Sequence, residues 1–84
     1  MNWESARSIF PDRWILFEAI ESHSENGKRV IDRLAVINSF NESKEALNEY
    51  KLIHKKEPNR ELYVAHTSND KLDIIERKWL GVRI

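Results

Sequence analysis

Two apolar segments of strand-like composition precede the one long helical stretch of the chain. Residues 14–23 are rich in aromatic and branched side chains and are too short for a typical helix, so the pattern favours a strand. Residues 29–40 form the next apolar run, which is predicted to be the returning strand. Asn26 and Gly27 lie between them. Because both residues tolerate a positive φ, this dipeptide predicts a hairpin turn.

The register of this hairpin has two alternatives. A two-residue loop at Asn26 and Gly27 places Glu21 opposite Asp32, which is unfavourable because like charges repel. A three-residue loop with Gly27 in a bulge avoids that contact, so the register stays open. The two-residue alternative pairs Phe17 with Val36 and Leu16 with Ile37.

Residues 42–56 have the pattern of an amphipathic helix. Ser39 and Glu42, three positions apart, can form a capping box, and Asn41 is the rival N-cap. Pro58 prevents the helix from continuing. The apolar stripe predicted to face the sheet consists of Ala46, Leu47, Tyr50, Ile53 and His54.

A second hairpin is expected after the helix. Residues 60–67 and 72–84 have strand composition, and the SNDK stretch between them suits a turn. The final nine residues, ERKWLGVRI, interleave basic and apolar side chains with a period of two. That alternation is typical of a half-solvated strand and not of a basic tail.

The order of elements predicts an α+β domain of ββαββ type over residues 14–84. Its antiparallel sheet would consist of two hairpins, with one helix packed on one face. Residues 1–13 form a lead-in segment, in which Ser5 to Phe10 can form one helical turn that Pro11 ends. Trp3, Ile9 and Phe10 are its expected anchors.

Both strands of the first hairpin are apolar on both faces, and such strands need cover on both sides. One helix covers only one face of a four-stranded sheet. A second copy of the chain would cover the other face in a symmetric homodimer, which is the favoured alternative. The rival is that the segment of Trp3 and Phe10 covers it within one chain.

Composition narrows the class of protein. Eighty-four residues predict one domain. There is no cysteine, which excludes disulfides and thiolate chemistry. The apolar runs are far shorter than a membrane span and the first residues lack a signal-peptide pattern, so we expect a cytoplasmic protein without membrane contact.

The charge balance weakens, but keeps open, a nucleic-acid function. Fourteen basic residues meet fourteen acidic ones, and neither half of the chain has the excess that neutralises many phosphates. The alternative function is weak binding of RNA or single-stranded DNA by a basic and aromatic sheet face. Its residues would be Lys28, Arg29, Arg33, Tyr63, Arg77, Lys78, Trp79 and Arg83.

Candidate chemistry is sparse. His23, His54 and His66 lack metal-ligand spacing, although His23 and His66 could meet across the sheet. The HTSND stretch, residues 66–70, is better explained as turn chemistry than as a catalytic group. Glu18 would pair with an arginine such as Arg33. No glycine-rich phosphate loop is present, and we expect no enzyme, metal or cofactor.

Four stretches carry a resemblance to a known family: W-x-x-F-E-A from Trp14, then HSENGKR, RELYVAHTS and ERKWLGVR. They span Trp14 to Arg83. The pattern resembles a family of small bacterial proteins of about this length that has no established activity. The resemblance implies a bacterial, stand-alone, cytosolic protein, and it transfers no site residues.

These observations predict a small non-enzymatic interaction or regulatory module that forms a homodimer and has an unidentified protein partner. It would bind either through the second sheet face or by adding a strand at a free hairpin edge. Aromatic and arginine side chains commonly anchor such interfaces. The predicted anchors are Trp14, Tyr63 and Trp79, with Arg77 and Arg83 as orienting charges.

Overall fold

The computed structural model describes residues 1–75. The elements in chain order are α1 (Trp3–Ile9), β1 (Trp14–Glu25), β2 (Lys28–Phe40), α2 (Ser43–Lys56), β3 (Leu62–His66) and β4 (Ile74–Ile75). They form a four-stranded sheet of order β3-β1-β2-β4, in which every neighbouring pair is antiparallel. The α+β class is confirmed. The remainder of the predicted last strand, residues 76–84, lies outside the described residues.

The first hairpin is confirmed, with a two-residue loop. Glu25 pairs with Lys28, and the two residues between them have positive φ, 51° at Asn26 and 78° at Gly27. Two consecutive positive φ values define the type I′ turn, whose twist matches that of the flanking strands. Asn26 and Gly27 therefore predicted this hairpin correctly.

Irregularities within β1 and β2 resolve the predicted charge clash. Phe17 pairs with Val36 as expected, but register shifts on both sides of Glu21 place that residue opposite Arg33 instead of Asp32. Arg33 Nε lies 3.3 Å from Glu21 Oε1. The repulsion is thus relieved by bulges inside the strands and not by a longer loop. Another shift places Leu16 opposite Asn38, so its predicted pairing with Ile37 is wrong.

The prediction of a second hairpin is wrong, because β3 pairs with β1 and β4 pairs with β2, at opposite edges of the sheet. The chain after β3 binds α1 instead of folding back in a tight turn. Trp3 Nε1 donates to the Asn69 carbonyl at 3.0 Å, and Arg7 Nε donates to the Thr67 carbonyl at 2.8 Å. These contacts direct the segment across the molecule to the far edge.

Helix α1 covers one face of the sheet. Its N-cap is Asn2, whose Oδ1 accepts from the Ser5 amide at 2.8 Å. Trp3 and Ala6 are buried in one cluster with three sheet residues, and Phe10 packs against it. Ile9 is 57% exposed, so its predicted role as an anchor is wrong. The sheet residues of the cluster are Ile15, Phe17 and Leu34.

Helix α2 packs on β3, β1 and β2. Leu16 points away from the face of Ile15 and Phe17 because side chains alternate along a strand, yet it is fully buried, as is Ala46 on α2. The described residues therefore form three layers, α1, sheet and α2. The N-terminal segment supplies the second cover within one chain. The bare face that motivated a homodimer is not found over β1, and the homodimer itself stays a prediction.

The start of α2 differs from expectation. Its N-cap is Glu42, which makes no side-chain cap hydrogen bond. Ser39 is still part of β2, so it cannot cap the helix, and Asn41 Oδ1 accepts instead from Arg13 Nη1 at 2.8 Å. Both predicted caps are wrong. Neither helix in the described range is both long and apolar enough to cross a membrane.

Candidate functional site

The outer side of β3 is an unpaired strand edge. The Glu61 carbonyl and the Thr67 amide hydrogen-bond to backbone in or next to β1, at 2.9 and 2.8 Å. The backbone N–H and C=O groups of odd-numbered residues in this strand therefore point towards β1, and those of even-numbered residues point away from it. Within residues 1–75, the outward N–H and C=O groups of Leu62 and Val64 have no hydrogen-bond partner.

The edge has a defined end and no protective side chains. The His66 carbonyl accepts from Asn69 through both the backbone N (3.2 Å) and Nδ2 (3.1 Å), which closes the strand. Natural edge strands often carry charges or proline that prevent another chain from pairing. The sequence of β3, LYVAH, contains neither a lysine, an acidic residue nor a proline.

An apolar groove lies beside this edge, between β3 and α2. Its volume is about 220 Å³. Leu47 is 46% exposed, and the ring of Tyr50 stacks on His54 with centroids 5.5 Å apart and planes 6° from parallel. Leu47, predicted to face the sheet, thus borders the groove instead of filling the core, and His54, predicted to face the sheet as well, is exposed. The groove is lined by Leu47, Tyr50, Leu62, Tyr63 and Val64.

Lysines on α2 are neighbours of Leu47, which lines the groove. Lys44 lies three residues before Leu47 and Lys51 four residues after it, so both are its neighbours on the helix surface. Lys55 continues the same row. All three are exposed, and none forms an ion pair within residues 1–75. In the sequence these lysines lie off the apolar stripe of the helix, and their spacing around the helix axis reveals that they form one row.

A polar network anchors the beginning of β3. Arg29 donates to Glu61 twice, Nε to Oε2 at 2.8 Å and Nη2 to Oε1 at 3.0 Å. Hydroxyls of Tyr63 and Ser22 also donate to this carboxylate, at 2.6 and 3.0 Å. The pKa of Glu61 is lowered to about 2, mainly by its hydrogen bonds from Arg29. The pKa of Tyr63 is raised to about 12, first by burial and then by its hydrogen bond to the Glu61 carboxylate. The network is fully bonded, which suits a structural role.

A second carboxylate is held by an unforeseen partner. Glu18 Oε1 accepts from Arg60 Nη2 at 2.6 Å and from Nε at 3.2 Å. Its predicted pairing with Arg33 is wrong, because Arg33 faces Glu21 across the bulged hairpin. Glu18 and Arg60 join β1 to the start of β3, so this ion pair also holds the edge strand in place.

The histidines do not converge. His23 pairs across the hairpin with Val30, and His66 pairs with Trp14 at the other end of β1. Nine residues of strand separate these positions, roughly 30 Å. His23 Nδ1 lies 2.7 Å from Asp32, whose hydrogen bond foremost raises the pKa of His23. No metal-binding group of three His, Cys, Asp or Glu residues occurs within residues 1–75.

Residues 66–70, the HTSND stretch, form contacts within their own turn and with the N-terminal segment that contains α1. His66 Nδ1 lies 2.8 Å from Ser68 Oγ, and Asp70 Oδ1 lies 3.2 Å from Arg7 Nη2. Thr67 is 3% exposed; its hydroxyl donates to the Phe10 carbonyl at 2.7 Å and accepts from the Arg13 amide at 2.9 Å. These bonds close the turn onto the N-terminal segment, and they aim no group at a shared reacting atom.

The predicted partner-binding residues do not form one surface among the described residues. Trp14 contacts the His66 ring edge-on, with centroids 5.1 Å apart. Tyr63 lies on the other face of the sheet, 5.8 Å from the ring of Phe17. Arg77, Trp79 and Arg83 lie outside the described residues. Their roles in partner binding stay predictions.

Of the basic residues predicted for nucleic-acid binding, the three that lie within residues 1–75 form ion pairs. Lys28 Nζ lies 3.2 Å from Asp73 Oδ1, Arg29 binds Glu61 and Arg33 binds Glu21. An arginine or lysine paired with a carboxylate has less charge to offer a phosphate. The nucleic-acid alternative stays a prediction, and its remaining basic residues, Arg77, Lys78 and Arg83, lie outside the described residues.

A cavity of about 390 Å³ lies between α1, β2 and residues 70–74. It is lined by both acidic and basic side chains. The acidic Asp70 pairs with Arg7 and the basic Lys28 with Asp73. Such mutually neutralised charges favour no particular ligand.

Comparison with known proteins adds no relative. The chain matches no protein-family model, no curated protein and no solved structure. The resemblance to a family of small bacterial proteins therefore stays a prediction.

Proposed function

We propose that this protein is a non-enzymatic interaction module that binds an extended segment of another polypeptide as an added strand at the outer edge of β3. The observation that carries the proposal is the orientation of Leu62 and Val64, whose N–H and C=O groups point away from β1 without partners in residues 1–75. A peptide backbone supplies both the acceptors and the donors that these groups require.

The groove beside the edge supports this function. Alternate side chains of an added strand point to the same face, so apolar residues of the bound segment would meet Leu47, Tyr50 and Val64. Main-chain hydrogen bonds then supply affinity and the groove supplies selectivity. The paired carboxylates Glu18 and Glu61 hold β3 in position without occupying its outer side.

The decisive variant is Val64→Pro. The Val64 amide points outward, so proline removes an edge donor without breaking a bond to β1, and edge strands tolerate proline. Val64→Thr retains the amide and is the matched control. Linear peptides of about nine residues would be selected from a random library on the immobilised full chain and measured by fluorescence anisotropy. Circular dichroism would establish that both variants are folded.

We expect the selected peptides to bind Val64→Thr like the wild type and to bind Val64→Pro at least about tenfold more weakly. Equal binding to both variants, or a library without binders, would refute the proposal. The homodimer predicted from sequence is tested in the same samples by sedimentation equilibrium. A wild-type dimer that becomes monomeric in Val64→Pro would show that a second copy, and not a separate partner, occupies the edge.

A further inference from the structure

Lys44, Lys51 and Lys55 lie on one side of α2, whereas Glu45 and Glu49 lie on another side together with Lys56. Lys51 and Lys55 are four residues apart, as are Glu45 and Glu49. Like charges at this spacing destabilise a helix, whereas opposite charges would stabilise it. Neither pair has an ion-pair partner in residues 1–75. The helix therefore carries an arrangement that is unfavourable for its own stability.

The basic side of this helix is the side that borders the edge of β3. Leu47 lines the groove with Leu62 and Val64, and Lys44 and Lys51 are its nearest cationic neighbours along the helix surface. Glu45 lies two residues before Leu47, about 200° around the axis. The lysines thus stand beside the unpaired strand edge and the glutamates do not.

We propose that the partner segment is acidic: an extended polypeptide that pairs with β3, places apolar side chains in the groove and places carboxylates against Lys44, Lys51 and Lys55. This inference rests on the proposed function. Charge complementarity of this kind selects partners and accelerates their association. It also accounts for a row of lysines that has no partner within residues 1–75.

Two other occupants fit less well. A second copy pairing antiparallel through β3 would carry its α2 on the same face of the joined sheet, so the lysine rows of the two helices would approach and repel each other. A nucleic acid would satisfy the lysines. Its phosphodiester backbone, however, has no N–H groups to donate to the carbonyls of Leu62 and Val64.

Three synthetic peptides test the inference. They share a framework of about nine residues in which every second side chain is directed to α2. Those positions alternate between valine and a test residue, which is glutamate, glutamine or lysine, and the remaining positions are threonine in all three peptides. Binding to the full chain is measured at about 20 mM and about 1 M salt, because screening weakens exposed ion pairs. An oligothymidine of about twelve nucleotides is the nucleic-acid probe.

We expect the glutamate peptide to bind about tenfold tighter than the glutamine peptide at low salt and about equally at high salt. Lys51→Gln should reduce that preference, and the combined change of Lys44, Lys51 and Lys55 to glutamine should remove it while leaving the glutamine peptide unaffected. Lys56→Gln is the matched control, since Lys56 lies about 140° from Lys51 around the helix. It should leave the preference nearly intact.

The outcomes separate the two proposals. Equal binding of the glutamate and glutamine peptides, with both weakened by Val64→Pro, would overturn the acidic partner and retain strand addition. Binding by none of the three peptides would overturn both. Tighter binding of the oligothymidine than of the glutamate peptide, lost in the triple lysine variant, would identify a nucleic acid as the partner and overturn the inference.

Discussion

The carboxylate of Glu61 and the guanidinium of Arg29 form a two-point contact, with donor–acceptor distances of 2.8 and 3.0 Å. Arg29 belongs to β2 and Glu61 directly precedes β3, so the pair spans the intervening strand β1. Paired bonds of this kind fix geometry as well as adding stability. The start of the proposed binding edge is thereby held to the centre of the sheet.

Glu61→Gln should lower the free energy of unfolding by about 1–2 kcal/mol at pH 7, because the side chain is partly exposed but loses charged hydrogen bonds. The folded-state pKa of Glu61 is about 2, below its ordinary value of 4.5. Its contribution is therefore present above pH 4.5 and disappears as the pH falls towards 2. Urea denaturation at several pH values measures this.

The control for that experiment is Glu45→Gln, which removes an exposed carboxylate without an ion pair in residues 1–75. Its effect should be within about 0.5 kcal/mol. A difference between wild type and Glu61→Gln that stays constant from neutral pH down to about pH 2 would contradict the assignment.

Thr67→Val should destabilise the protein by about 1–3 kcal/mol, although it preserves the shape of a buried side chain. The valine leaves the Phe10 carbonyl and the Arg13 amide without the hydroxyl that both now contact. Thr67→Ser keeps that hydroxyl and should cost less than Thr67→Val. Thermal unfolding of the two variants measures the comparison, and equal losses would show that packing alone matters at this position.

The titration of His23 should shift when Asp32 becomes asparagine. The hydrogen bond from Asp32 is the main cause of the raised His23 pKa, and Glu25 contributes less. Asp32→Asn should therefore lower that pKa more than Glu25→Gln does. The stabilising contact is complete below pH 6.5 and is lost as the pH rises through the raised value. Proton NMR of the imidazole follows each midpoint, and the reverse order would contradict the geometry.

Amide exchange should alternate along β3. The amides of Tyr63 and Ala65 face β1, and we expect them to exchange slowly, whereas the amide of Val64 faces outward and should exchange faster. Hydrogen–deuterium exchange monitored by NMR resolves single residues. Uniform protection along β3 would show that its outer edge is covered in the whole chain.

The sequence predicted elements that depend on neighbouring residues and failed where distant partners decide. Asn26 and Gly27 specify the first hairpin through their own backbone preferences. The path after β3 depends on Thr67, which binds backbone more than fifty positions away. Turn composition at SNDK could not reveal that the carbonyls of this segment bond to α1 instead of closing a hairpin.

The candidate site, like the fold, could be predicted only where residues close in sequence determine the structure. Strand addition at a free edge is one of the binding modes that the sequence predicts. Which strand has a free edge depends on the order of the sheet. That order follows from the pairing of β1 with β3, in which Phe17 lies opposite Tyr63, and the sequence did not predict this pairing. Glu18 was correctly expected to meet an arginine. Its partner, Arg60, lies in the loop before β3 and not on the adjacent strand, so strand pairing gave no indication of it.

Contacts between the two ends of the described chain also govern how the protein emerges during synthesis. The indole of Trp3 reaches its hydrogen-bond partner only when Asn69 has left the ribosome, a separation of 66 residues. Before residues 67–69 emerge, α1 lacks its hydrogen bonds to Thr67 and Asn69 and is held to the completed hairpin by the backbone bonds between Met1 and Leu34 and by apolar packing. In the nascent chain the cover over this sheet face is therefore less firmly fastened than in the folded protein, which gives chaperones and neighbouring chains a period in which they can compete with α1 for it.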